Sequence, residues 1–138
     1  MQKKTNSNEP GDWLFFAEAE LEGIRTLAEG QVSYFMCRSK LAEALEKILK
    51  AELIRLGWFL EKTHDLQKLA DDLVERKSDI AGNIQPLVED LSESYFIYRY
   101  PGFDLEEEDW PELLRQLEAV EKLWSKASER VEAKRNNT

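Results

Sequence analysis

One cysteine and one histidine in 138 residues leave few routes to several kinds of chemistry. Cys37 has no partner for an internal disulfide, and with His64 it offers too few nitrogen and sulfur ligands for the usual zinc site. The Glu-x-x-His pairs that a bundle di-metal centre needs are missing as well, so neither a metal nor another cofactor is expected. The six glycines match neither the phosphate-cradling loop nor the dinucleotide fingerprint, both of which require strand-to-helix junctions. No serine stands in a nucleophile-elbow context. No apolar run approaches ~20 residues, and no apolar targeting core follows the polar start MQKKTNSNEPGD. Membrane insertion and export are therefore not expected, and a reducing cytoplasmic location is. Basic residues are also short: 19 against 28 acidic ones gives a net charge of −9. That balance repels polyphosphate at long range, so general nucleic-acid binding is not expected and any anion site must be local.

What the chain does have is helical periodicity. At 42% hydrophobic content it can bury a core as one domain, read as residues 12–135 behind a flexible arm at 1–11. Trp13, Phe16, Ala17, Ile24, Leu27 and Ala28 repeat at helical spacing until Gly30 offers a stop. A second helix spans Val32 to Leu56 and ends at Gly57. A third begins with Thr63 as N-cap and carries Leu66, Leu69, Ala70, Leu73 and Val74 on one side. Ile84, Leu87, Val88, Leu91, Tyr95 and Tyr98 describe a fourth, closed by Pro101-Gly102. The last opens on Asp109-Trp110-Pro111-Glu112, an acidic cap before a first-turn proline, and runs through Leu113, Leu117, Val120, Trp124, Ala127 and Val131. Nothing reads as a strand. Five amphipathic segments with short connections predict an all-α, antiparallel up-and-down bundle of four to five helices.

The second helix carries the unusual charges. Tyr34, Cys37, Leu41, Ala44, Leu45 and Ile48 share one arc at 100° per residue, which makes Cys37 a small buried hydrophobe rather than a nucleophile. Lys40, Glu43, Glu46, Lys47 and Lys50 take the opposite, solvated arc, with Glu43–Lys47 and Glu46–Lys50 in the favourable i,i+4 order. Glu52 and Arg55 fall on the apolar arc. A charged pair facing a bundle interior is costly unless matched, and the plainest match is a salt bridge between the two. Beyond Lys50 the apolar residues Leu53, Ile54, Leu56, Trp58, Phe59 and Leu60 point in every direction. Either the surrounding helices wrap this segment or a second copy covers it, and a homodimer is favoured. Phe103 and Trp110 flank the acidic run DLEEED, which reads as a contact for a basic partner protein or as a solvated loop.

Several of these residues together resemble the HEPN family, the higher eukaryote and prokaryote nucleotide-binding domain. The resemblance runs from Trp13 to Gly102 and rests on Glu46-Lys47, Leu49-Lys50-Ala51, Gly57, Thr63-His64-Asp65-Leu66 with Leu69, and Tyr95 followed by Arg99-Tyr100-Pro101. It implies a bundle of four or five helices that commonly dimerises. Two behaviours compete within the family. Many members are metal-independent ribonucleases with an arginine a few residues before a histidine near the start of the last bundle helix. Here Arg55 lies nine positions before His64, and no histidine follows Arg99. The second branch resembles the substrate-binding half of two-component nucleotidyltransferases, in which a separate small protein supplies the metal-binding carboxylates. The Thr-His-Asp-Leu and Arg-Tyr-Pro pieces are similar to that branch, which implies a nucleotide ligand, a nucleotidyltransferase partner and no catalytic residue in this chain. A divergent ribonuclease toxin and a pure interaction scaffold are the alternatives.

The binding residues so implied are His64, Asp65, Arg99, Tyr100, Arg55, Glu52 and Tyr95. His64 would sit in the first turn of the third helix, where its ring could donate and accept one hydrogen bond each, or simply lock the loop to a neighbouring helix. Asp65 would complement the same helix terminus. Arg99 precedes a proline break, where its guanidinium could meet bare carbonyls or phosphate oxygens. Tyr95 and Tyr98 lie on the inward stripe, whereas Tyr100 lies outside it and is better placed to stack on a base.

Overall fold

A computed structural model of the chain describes residues 7–94, 102 and 107–136. Among them are five helices and no strand: α1 (Pro10–Glu29), α2 (Tyr34–Arg55), α3 (Leu66–Glu75), α4 (Ala81–Ser92) and α5 (Trp110–Asn136). The chain is an all-α bundle. Tyr95, Tyr98, Arg99, Tyr100, Pro101 and Phe103 lie outside the described residues, and so does the expected continuation of the fourth helix through Tyr98.

Helix α2 is the axis of the bundle and packs against each of the other four. Leu41, Leu45, Ile48, Leu49 and Leu53 are all fully buried, which spreads its apolar surface well beyond one arc. Helix α1 runs against α2, with Lys50 near Trp13 at one end and Met36 near Leu27 at the other. Helix α5 lies along both. Arg25 of α1 reaches Glu121, Trp124 Nε1 donates to the Leu14 carbonyl at 2.7 Å, and Tyr34 stacks edge-on against Trp110 with centroids 5.1 Å apart. Trp110 is thereby buried, so the contact expected on the flank of the acidic run is instead part of the core. Alternation along the chain has one exception. The connector after α2 returns along it, bringing His64 beside Glu46, so α3 starts level with the middle of α2 and then pairs with α4.

Helix ends fall close to expectation, with instructive shifts. Helix α1 starts at Pro10, where Pro occupies the first turn and Ser7 accepts and donates bonds that hold it: the Ser7 hydroxyl bonds Asp12 Oδ2 at 2.6 Å, and Trp13 Nε1 donates to the Ser7 carbonyl at 2.8 Å. Gly30 follows the last residue of α1 but keeps φ −87°; the left-handed residue is Gln31 at φ 52°. At the end of α2 Gly57 does take the left-handed turn, φ 91°, and the Trp58 amide closes back on the Leu53 carbonyl at 2.9 Å. Helix α5 opens as read, with Asp109 Oδ1 accepting from the Glu112 amide at 3.1 Å.

The segment after Lys50 is mostly wrapped. Leu53 and Trp58 are buried and Ile54, Leu56 and Leu60 pack on the core, leaving Phe59 outside at 88% exposure. Phe16, expected inside, is exposed beside Phe15, because Leu14, Ala17, Leu21 and Ile24 form the inward stripe of α1. Cys37 is fully buried, and burial alone pushes its thiol above its ordinary value, as befits a small hydrophobe.

Candidate functional site

The central helix buries four charges, Arg38, Glu46, Lys50 and Glu52, and they organise separate clusters. Around Glu46 the carboxylate is shared: Oε1 lies 3.0 Å from His64 Nδ1, and Oε2 accepts from Lys50 Nζ at 3.0 Å. The Glu46 and Lys50 side chains are only 8% and 5% exposed, whereas His64 is 60% exposed. Lys50 also stands over the Trp13 ring, 5.2 Å from its centroid, so one face of the ammonium meets a π cloud instead of water. The cluster thus grades from a dry ion pair to an imidazole at the surface.

This overturns the solvated reading of Glu46 and Lys50. On a helix covered from several sides, the arc opposite the main stripe is still interior; the α2–α3 connector and the start of α1 cover it. Glu43 and Lys47 do not pair as expected either. Lys40 Nζ takes Glu43 at 3.0 Å, and Lys47 reaches across to Glu20 of α1 at 2.5 Å.

His64 and Asp65 come from the connector. Thr63 was expected to cap α3, but its hydroxyl accepts from the Asp65 amide at 3.1 Å in a local turn, and Asp65 is the cap, Oδ1 accepting from the Lys68 amide at 3.2 Å. Aspartate caps at least as well as threonine, and Thr hydroxyls readily close such turns. His64 consequently lies one residue before the cap, not in the first helical turn.

Glu52 builds the second cluster. Its carboxylate, 1% exposed, accepts from Arg55 at 2.8 and 2.9 Å, from the Ser78 hydroxyl at 2.9 Å and from Arg130 of α5 at 2.9 Å. Arg130 continues to Asp79 at 2.5 Å, and Lys126 lies 3.4 Å from the same carboxylate. Burial works against ionising Glu52, yet the hydrogen bonds from Arg55 and Ser78 and the charges of Arg55 and Arg130 outweigh it and hold the carboxyl below its ordinary value. The expected Glu52–Arg55 pair is therefore present, enlarged by two partners that sequence spacing does not reveal.

Arg38 was not singled out, although it lies four residues after Tyr34 and three before Leu41, on the apolar arc. It is 8% exposed, with Nη2 donating to the Asp90 carbonyl at 2.9 Å and Nε to Ser94 Oγ at 3.3 Å. It thereby ties α2 to the end of α4.

The structure thus assigns His64 to Glu46 and Arg55 to Glu52, two carboxylates six positions apart on one helix. Arg99, Tyr100 and Tyr95 belong to the undescribed stretch. Among the described residues no group of three or more His, Cys, Asp or Glu side chains could hold a metal ion, and no helix is long and apolar enough to cross a membrane.

The described residues form an all-α bundle around a central helix with buried charges, with a histidine presented just before the next helix. The family model of the HEPN domain matches residues 11–129, and the chain belongs to the HEPN family. No curated protein and no solved structure matches it.

Proposed function

We propose that this HEPN chain is a non-catalytic nucleotide- or substrate-binding module that works as the partner subunit of a minimal nucleotidyltransferase in the cytoplasm, as a homodimer. The observation that carries this reading is the partition of the two candidate groups. Arg55 is held in a bidentate pair by a carboxylate that is itself bound to Ser78 and Arg130, while His64 is held by Glu46. Cleaving a phosphodiester without metal needs a proton-transferring imidazole and a charge-stabilising guanidinium on the same phosphate. Arg55 is committed elsewhere. An exposed imidazole beside the polar connector remains suited to recognition, through hydrogen bonds to a base or phosphate. Exposed Phe59, Phe15 and Phe16 supply apolar surface for a second copy or the transferase.

Calorimetric titration with a panel of nucleotides, for the purified chain alone and mixed with a nucleotidyltransferase encoded beside it, tests the proposal. Binding of a nucleotide or of the transferase, weakened in the His64→Ala variant, is expected; absence of both overturns it.

A divergent metal-independent ribonuclease is the second reading, favoured by one contact. Glu46 orients an exposed imidazole from Nδ1, the geometry of a histidine prepared for proton transfer. Metal-free cleavage of RNA, abolished in His64→Ala, would establish it in place of the first.

A further inference from the structure

Helix α1 carries two apolar stripes. The inward one holds Leu14, Ala17, Leu21 and Ile24; Phe16, Ala19, Gly23 and Leu27 recur at i, i+3, i+7 and i+11 and form a second, turned away from the core. Phe16 is 59% exposed, and Ala19 and Gly23 are exposed as well. Met36 of α2, 48% exposed, stands beside Leu27. A groove of about 430 Å³ runs between the two helices, with Phe16 at one end, Ala19 and Gly23 in the middle, and Leu27 and Met36 at the other end. The eleven residues from Phe16 to Leu27 rise about 16 Å, three turns of helix. In a chain with 34% charged residues, an uncharged outward stripe of that length marks a surface that another protein covers.

The same face says what covers it. A bulky residue, a hollow and an apolar wall follow one another along the groove, so the face matches its own reverse. An antiparallel copy crossing α1 between Ala19 and Gly23 lays Phe16 of each chain against Leu27 and Met36 of the other, and the small residues at the crossing let the two backbones approach. The charges agree. On the α2 side of the groove Lys47 is engaged by Glu20 of α1 at 2.5 Å, and Lys40, whose side chain is 51% exposed, pairs with Glu43 at 3.0 Å. Helices α1 and α2 are antiparallel, with Trp13 near Lys50 and Leu27 near Met36, so the same crossing brings Lys40 of each copy level with Glu43 of the other. A two-fold contact needs opposite charges on one surface, because that surface serves as both partners.

We propose that this face of α1, with Met36, Lys40 and Glu43 of α2, is the two-fold contact between copies of the chain, one α1 antiparallel to the other. The inference rests on the homodimer in the reading above and gives it a location. It assigns Phe16 to the second copy and leaves Phe59, which does not line the groove, outside the contact.

Sedimentation equilibrium of the full chain over a concentration series tests it. Phe16→Asp and Gly23→Gln change the face at exposed positions; a Cβ at Gly23 meets nothing within 4 Å, and glutamine favours a helix more than glycine does, so both variants should keep the wild-type far-UV circular dichroism. A dimer is expected, with its dissociation constant raised about ten-fold or more by each. Lys40→Glu should raise it by a smaller factor, and the charge-reversed double Lys40→Glu/Glu43→Lys should restore it. Phe59→Asp, at a position 88% exposed, should change it less than about two-fold. A monomeric wild type would overturn this contact and the homodimer together. A dimer indifferent to Phe16→Asp and Gly23→Gln, or weakened as much by Phe59→Asp, would overturn the contact alone, and no recovery in the charge-reversed double would overturn its antiparallel arrangement.

Discussion

Glu52 and Arg130 are 78 residues apart in the chain and 2.9 Å apart in space. Through them the end of α2, the α3–α4 turn and α5 are joined at one buried carboxylate, and its removal should affect the whole fold. Glu52→Gln leaves two guanidinium groups facing a neutral amide in a dry site and is expected to cost about 3 kcal/mol in urea unfolding. Arg130→Met removes a partly exposed partner while Arg55 and Ser78 still satisfy the carboxylate, and should cost about 1 kcal/mol. Equal losses for the two would mean that Glu52 is not the hub.

Acid should reveal the same carboxylate. Glu52 is held below its ordinary value of 4.5, so the folded state resists its protonation more than the unfolded chain does. The stabilisation is fully present above 4.5 and is lost as pH falls through the lower, folded value. Melting temperature followed from pH 7 downward should fall more steeply below that point in the wild type than in Glu52→Gln. Parallel curves would show that other acids govern the acid transition.

The buried pair beneath His64 gives a third expectation. Lys50→Met takes the buried cation from Glu46 Oε2, leaving the carboxylate with His64 at Oε1, and is expected to cost about 3 kcal/mol. The double variant Glu46→Gln/Lys50→Met removes both charges and should recover at least half of that loss. His64→Ala, at an exposed position, should lower stability by less than about 1 kcal/mol. A double variant no better than Lys50→Met alone would mean that packing of the lysine stem, not charge, holds this site.

Periodicity was enough to read the helices because each has an apolar stripe that must go inward, and the helix class, the α5 cap and the interior Glu52–Arg55 pair all follow from that. Periodicity failed where burial has more than one source. A helix wheel divides α2 into a wet and a dry side, but a helix surrounded by four others has little wet side, so Glu46 and Lys50 went unrecognised as interior groups. Arg38 was legible by the same spacing that exposed Glu52. The partners Ser78 and Arg130 were not, since nothing local links positions on different helices. Phe16 shows the converse: an aromatic near the stripe turned outward because smaller neighbours filled the interface first.

Three of the positive-φ residues at helix ends, Gly57, Lys77 and Gln31, offer the last test, because the expected effects of substitution there have opposite signs. Gly57, at φ 91°, closes α2, and a Cβ placed there would meet nothing within 4 Å. Substitution by alanine therefore acts through backbone strain alone, and Gly57→Ala should destabilise by about 1–2 kcal/mol. Lys77, at φ 57°, makes the equivalent closure after α3, with the Ser78 amide bonded to the Leu73 carbonyl at 3.0 Å. A lysine bears the strain that a glycine would avoid, although glycine also frees the unfolded chain. Relief of strain is the larger effect at a left-handed position, so Lys77→Gly should stabilise by about 0.5 kcal/mol, and Gln31→Gly, at φ 52°, should do likewise. Thermal unfolding of the three variants separates these outcomes, and a stabilising Gly57→Ala or a destabilising Lys77→Gly would show that these closures do not set the helix ends.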